Sequence, residues 1–220
     1  MDGYAILLFV HVLLFVFWLG TDVGVFLAAK ISEKSELSSE TRATVLGLGM
    51  VLDRLPRSAL TLIVPTGLQL GAMSGRLDID AQLLAGVWIV SLLWLAVLWA
   101  GFLRPHTVIE QRAMLINFAM NAIAAIVVTG GALYLLFLSD TPFWFDLKLL
   151  LVGLIFVLGV ALDLLFKPAV GAFTEIVTEG GSPERDRRYS AAIAPVYRIV
   201  LAIYALVAVA AWFGLAKPTF

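Results

Sequence analysis

The segment "FVHVLLFVFWLGTDVG", residues 9–24, decides the class of fold. It is apolar enough to cross a bilayer, yet His11 and Asp22 interrupt it. Steps of 4, 3 and 4 put His11, Phe15, Trp18 and Asp22 on one stripe of a helix with 3.6 residues per turn. Lipid is a costly place for an imidazole or a carboxylate, so this stripe is expected to face the interior of a helical bundle. Gly20 and Gly24 form a small-xxx-small pair suited to close approach of a neighbouring helix.

The rest of the chain has the same character. Of 220 residues, 61% are hydrophobic and only 14% charged, with mean hydropathy +0.99. Soluble domains carry about 25% charged residues. Apolar runs recur at about 4–29, 55–73, 82–103, 114–138, 147–166 and 194–215. Each can cross roughly 30 Å of hydrocarbon as a helix. The expected fold is all-α: a single integral membrane domain over 1–220, a polytopic bundle of about six spans. The opening "MDGY" has no Lys or Arg and no cleavage site follows, so the first run reads as a retained span rather than a signal peptide.

Lys and Arg set the expected direction. Lys30, Lys34, Arg42, Arg54 and Arg57 follow the first span, Arg104 and Arg112 the third, and Lys167, Arg185, Arg187, Arg188 and Arg198 lie between the fifth and sixth or just inside the sixth. The other side holds only Arg76, Lys148 and Lys217, out of 15 Lys and Arg. The positive-inside rule then places both termini on the periplasmic side of a bacterial inner (cytoplasmic) membrane. Segment 31–53 is expected as a cytoplasmic loop with an interfacial amphipathic helix from about Glu40, with Val45, Leu48 and Leu52 on one side. Segment 168–193 is expected as a second cytoplasmic loop, turn-rich around "TEGGSPERDRRYS". A net charge of −1 gives no footprint for nucleic acid. The absence of cysteine removes disulfides, thiolate metal sites and iron–sulfur clusters.

His11 and Asp22 do not belong to one site, being roughly 16 Å apart along a helix at 1.5 Å per residue. Asp22 lies toward the cytoplasmic end, where a structural ion pair with Arg54, Arg57, Arg104, Lys167 or Arg198 is expected. Asp53 with Arg57, and Asp163 with Lys167, are i,i+4 pairs of the helix-surface type. Proton transfer or substrate gating is the other reading of Asp22. Pro65 should kink the second span, with Thr61 and Thr66 satisfying the freed backbone groups. Asn117 and Asn121 are expected to bond a neighbouring helix, and Gly130 and Gly131 to mark a close packing point. Tyr4, Trp144 and Trp212 suit the outer interfacial belt.

His11 reads either as a packed, hydrogen-bonded imidazole or as a ligand. The other histidine, His106, is expected on the opposite face, so the two cannot ligate one iron. A single axial histidine with an open or Met-filled second position remains; Met120 lies in a span, but nothing in the sequence places it near His11. Lys148 is the exception on the sparsely basic side. It reads as a snorkelling lysine, or as the cation of an outward-opening apolar pocket shared with His11 and suited to a ligand bearing carboxylates.

A family resemblance rests on these residues. His11-x6-Trp18-x-Gly20 resembles the opening helix of the HemJ-type protoporphyrinogen oxidases and of the CopD copper-resistance membrane domain. Trp144-x3-Lys148-Leu149 resembles the start of a later HemJ-type helix, and "LDRLPRSALTLIVPTGLQL" is similar to that family's second span. The resemblance implies a redox-linked membrane protein. His11 and Lys148 would be its functional residues, and Trp18 and Trp144 would share a cofactor site for b-type haem, porphyrin or quinone. His11 would be the ligand to any haem iron. Two departures stand out: HemJ-type proteins have four spans, and Asp146 sits inside the Trp–Lys motif, where it is positioned to neutralise Lys148. Copper(I) sites favour clustered Cys, Met and His, and this chain has no Cys and five scattered Met. Alternative functions are a non-catalytic subunit or assembly factor of a larger membrane complex, with other subunits or a second copy as partners, and a small-solute or ion transporter.

Overall fold

The computed structural model describes residues 2–218 and consists of seven helices. They are α1 (Gly3–Ser32), α2 (Ser39–Leu52), α3 (Arg54–Met73), α4 (Ala81–Phe102), α5 (Val108–Leu138), α6 (Phe143–Glu179) and α7 (Pro183–Ala216). No strand occurs among the described residues. Side-chain oxygens begin most helices by accepting from first-turn amides: Asp2 for α1, Ser38 for α2, Asp80 for α4, Thr107 for α5 and Ser182 for α7. Pro183 occupies the opening position of α7, where its missing N–H costs nothing.

Five helices, α1, α4, α5, α6 and α7, are long and apolar enough to cross a membrane. They mark an all-helical, multi-pass integral membrane bundle. Its outer surface is apolar, with Ile126 and Phe137 each 75% exposed, as expected of side chains that meet lipid. The shorter α3 is not among the five. It carries Arg54, Arg57, Ser58, Thr61, Thr66 and Gln69, and its neighbours match these groups. Trp99 Nε1 donates to Ser58 Oγ at 3.1 Å, Trp88 Nε1 donates to Gln69 at 3.3 Å, and Thr66 meets His11.

The six longer helices close into a ring: α1 packs on α3, α3 on α4, α4 on α5, α5 on α6, α6 on α7, and α7 returns to α1 through a smaller contact. The two chain ends lie at one end of the ring, since Tyr4 of α1 and Lys217 after α7 line the same cavity there. The opposite end carries α2 and the α6–α7 turn. Close approaches occur at Gly153, where a Cβ would meet Thr129 at 2.5 Å, at Gly101 against Ala113, and at Gly49 of α2 against Ala28. A Cβ at Gly24 would lie 3.0 Å from the Leu52 side chain.

Several local expectations change. Gly130 and Gly131 have no neighbour near enough to make them a packing point. Segment 168–193 is helical almost throughout: α6 runs to Glu179 and α7 starts at Pro183, leaving 180–182 as the turn. The α2 face that packs on the bundle holds Arg42 and Gly49, leaving Leu48 of the apolar side 59% exposed, which an interfacial helix allows. The reason is Arg42, which is 1% exposed. Its Nε donates to the Ser32 carbonyl at 2.6 Å and its Nη1 to Asp186 at 2.8 Å. This arginine ties α2 to the end of α1 and the start of α7, and so fixes which side of α2 faces inward. Pro65 lies within a continuous α3, and the Thr66 hydroxyl donates to the Leu62 carbonyl at 2.7 Å.

Candidate functional site

Two cavities lie along the axis of the ring. The larger, about 300 Å³, is at the end that carries the termini, and the smaller, about 70 Å³, lies toward the other end. Trp18 and Ile155 line both. With Ala59, Ile203 and Val207 they form a buried apolar layer that separates the two.

His11 reaches the larger cavity from α1, and its position follows from two residues of α3. Nδ1 lies 2.7 Å from Thr66 Oγ1. The single hydroxyl proton of Thr66 goes to the Leu62 carbonyl, which can only accept. Nδ1 therefore carries the imidazole proton and donates to Thr66, and Nε2 keeps the lone pair that an occupant can use. One turn of space is cleared by Gly67, where a Cβ would sit 3.3 Å from His11 Cε1.

Lys148 enters the same cavity from α6, with Trp144 one turn before it. Its ammonium lies against α7 at Gly214, where a Cβ would come within 2.5 Å of Nζ. Asp146 points elsewhere. It is buried, it does not line the cavity, and it accepts from the Thr141 hydroxyl at 2.6 Å. No carboxylate among the described residues forms an ion pair with Lys148. The expectation that Asp146 neutralises Lys148 is thus replaced by a hydrogen bond that steadies the entry to α6.

The sequence-derived residues His11, Trp18, Trp144 and Lys148 all line this one cavity. His106 and Met120 do not. His106 sits before α5 with its amide on Glu110, and Met120 packs beside Trp94 and Phe156. Sequence reasoning missed the supporting residues Gly67 and Gly214, for which only the fold supplies a signal. It also missed Arg76 and Lys217, which line the cavity as well. For these two a signal existed: they and Lys148 were the only cations on the sparsely basic side.

The smaller cavity gathers Asp22, Asp53, Arg57 and Asp163. Arg57 Nε donates to Asp53 at 2.5 Å and Nη1 to Asp163 at 3.4 Å. Asp22 faces this group and Tyr204 but forms no salt bridge among the described residues, contrary to its expected ion pair. Lys167 lies over the Phe118 ring rather than on Asp163, and Arg54 over the Phe102 ring. Arg198 joins no ion pair among the described residues. Asn117 accepts from Trp94 Nε1 at 3.0 Å, whereas the Asn121 carbonyl oxygen has no partner.

Chemically, the larger cavity offers one imidazole nitrogen in a mostly apolar wall, indole faces on two sides, and positive charge. No protein-family model matches the chain, and neither the curated proteins nor the solved structures gave a significant match.

Proposed function

We propose that this chain is a six-span protein of the bacterial inner membrane, with both termini periplasmic, that binds a redox-active ligand of the haem, porphyrin or quinone class in the larger cavity. The observation that carries this reading is that His11 and Lys148, far apart in the chain, line one cavity with Trp18 and Trp144. The uneven distribution of Lys and Arg supports the orientation. It puts the larger cavity in the outer half of the bilayer and the α2 end in the cytoplasm. The short motifs similar to HemJ-type proteins support the choice of ligand class.

The residues suit such a ligand in part. His11 Nε2 would hold a haem iron, and Lys148 would pair with a carboxylate of the ligand. Among the described residues no second His, nor any Met, lines the cavity, so the lining offers no His–His or His–Met pair. A bound haem or quinone would supply electron transfer, and a porphyrin would be the oxidised or reduced partner. The role of the chain is to orient the ligand, to keep water away through the Trp18 layer, and to offer a proton acceptor at His11 Nε2.

The test is an absorption spectrum of the gently purified protein, oxidised and then dithionite-reduced, followed by titration with added haem. A Soret band with reduced α and β bands that is lost in His11→Ala is the expected result. No chromophore, no binding of added haem or of a short-chain quinone, and an identical His11→Ala variant would overturn the proposal.

One observation favours a transport reading as the second choice. The two cavities lie end to end on either side of the Trp18–Ile155 layer, and the inner one is acidic. Cation uptake into liposomes that is lost in Asp22→Asn would select it.

A further inference from the structure

Arg76, Lys148 and Lys217 come from three different elements: the α3–α4 connection, α6, and the residue after α7. All three line the larger cavity, and no Asp or Glu among the described residues does. None of the three forms an ion pair among the described residues. Lys217 and Lys148 line the same wall, with Gly214 between them. Bringing like charges together beside an apolar wall is unfavourable unless an anion sits between them.

Two backbone features build this arrangement. Gly214 leaves room for the Lys148 ammonium against α7. Lys217 takes the left-handed conformation, with φ of 43°, at a helix-ending position where glycine is the ordinary choice.

The cavity also has a side opening. Among the described residues, the polar and ring ties between α1 and α7 fall between Asp22 and Glu33 of α1, and below them Trp18 packs with Ile203 and Val207. Toward the termini the cavity itself separates the two helices. Leu8, Val12 and Val16 line it and are yet 41–51% exposed, as is Leu215 across from them at 81%. These side chains therefore edge a slot that runs roughly 12 Å along α1 at 1.5 Å per residue. An apolar slot on the flank of a membrane bundle opens to lipid, not to water.

We infer that Arg76, Lys148 and Lys217 form a receptor for the acidic headgroup of an amphiphile, whose apolar body leaves through the slot between α1 and α7. The headgroup is a carboxylate or a phosphate. The inference rests on the proposed reading of this cavity as a ligand site, and it adds a charge requirement that a neutral quinone does not meet.

The experiment uses the full chain in neutral detergent and two probes with the same apolar body: cis-parinaric acid and its methyl ester. Energy transfer from the cavity tryptophans reports binding. The acid should bind about tenfold or more tighter than the ester, and added salt should narrow the gap. Arg76→Gln and Lys217→Gln alter side chains at the cavity mouth, so folding is not at stake. Each, like Lys148→Gln, should weaken the acid several-fold and leave the ester unchanged. Inorganic phosphate should displace the acid only weakly. Equal binding of acid and ester, or variants that bind the acid as the parent does, would overturn the inference. So would phosphate that displaces the acid as well as an acidic lipid does, because the site would then serve a free anion. A parallel haem titration separates the two readings. Haem binding that depends on His11, without any acid preference, removes the headgroup receptor alone, whereas no binding of any probe removes both.

Discussion

The imidazole of His11 donates from Nδ1 to the Thr66 hydroxyl at 2.7 Å, and that hydroxyl is itself held by the Leu62 carbonyl. The pair joins α1 to α3 inside an apolar bundle and determines which nitrogen of His11 is free. Thr66→Val keeps the shape of the side chain and removes the acceptor. Hydrogen bonds between membrane helices contribute on average about 0.6 kcal/mol, at most about 1.7. The variant should therefore stay folded with a modest loss of stability in detergent. Its effect on ligand binding should be larger, because the ring loses its fixed tautomer. Comparing thermal unfolding with haem affinity in Thr66→Val and His11→Ala separates the two effects.

Gly214 and Gly67 should respond differently to the same small change. A Cβ at Gly214 meets Lys148 Nζ at 2.5 Å, so Gly214→Ala must move the ammonium. It should reproduce much of the binding defect of Lys148→Gln while the charge is still present. At Gly67 the contact with His11 Cε1 would be 3.3 Å, close enough to need only a small shift. Gly67→Ala should weaken haem binding less than His11→Ala does. Equal effects of Gly214→Ala on acidic and neutral probes would indicate a lost helix contact rather than a displaced cation.

Arg42 is the strongest single tie at the α2 end. Arg42→Ala removes a buried bond to the Ser32 carbonyl and leaves Asp186 without its partner. Breaking a buried pair costs about 3–5 kcal/mol, and somewhat less here because the Asp186 side chain is 18% exposed. Lys cannot reproduce the fork geometry, so Arg42→Lys should recover little. Limited proteolysis should cut the 33–38 connection faster in both variants, and an unchanged cleavage rate would count against the tie.

Arg57 serves two carboxylates at once. Arg57→Gln should destabilise the bundle by about 2–3 kcal/mol, since Asp53 and Asp163 are then left facing one another without a cation. Adding Asp163→Asn to Arg57→Gln should restore part of that loss, as the remaining repulsion is relieved. A double-mutant cycle on unfolding in detergent measures the coupling. Strict additivity would mean that the 3.4 Å contact contributes nothing.

Composition and apolar run length alone determined the class: an all-helical membrane bundle with His11 and Asp22 in its first helix. Both signals are local, and in a solvent without water a helix is the structure available to a lone apolar run. The extent of the last two helices was not legible, because the polar residues of 168–193 read as loop, although α6 and α7 continue through them to a turn at 180–182. Nor was the side of α2 that docks on the bundle, which the buried Arg42 selects through contacts distant in sequence.

For the site, the sequence supplied the unusual residues one at a time: an imidazole in a span, a lysine on the wrong side, two tryptophans. Charge counting even isolated Arg76, Lys148 and Lys217 as a set. That these three converge on one cavity with His11, that Asp146 turns away to Thr141, and that Asp22 faces Arg57 without bonding it were decided by the closing of the ring. Side-chain neighbours across a bundle depend on how each helix is rotated about its axis and which partner it packs against. Those choices follow from contacts such as Gly153 on Thr129 and Gly101 on Ala113, which join residues far apart in the chain.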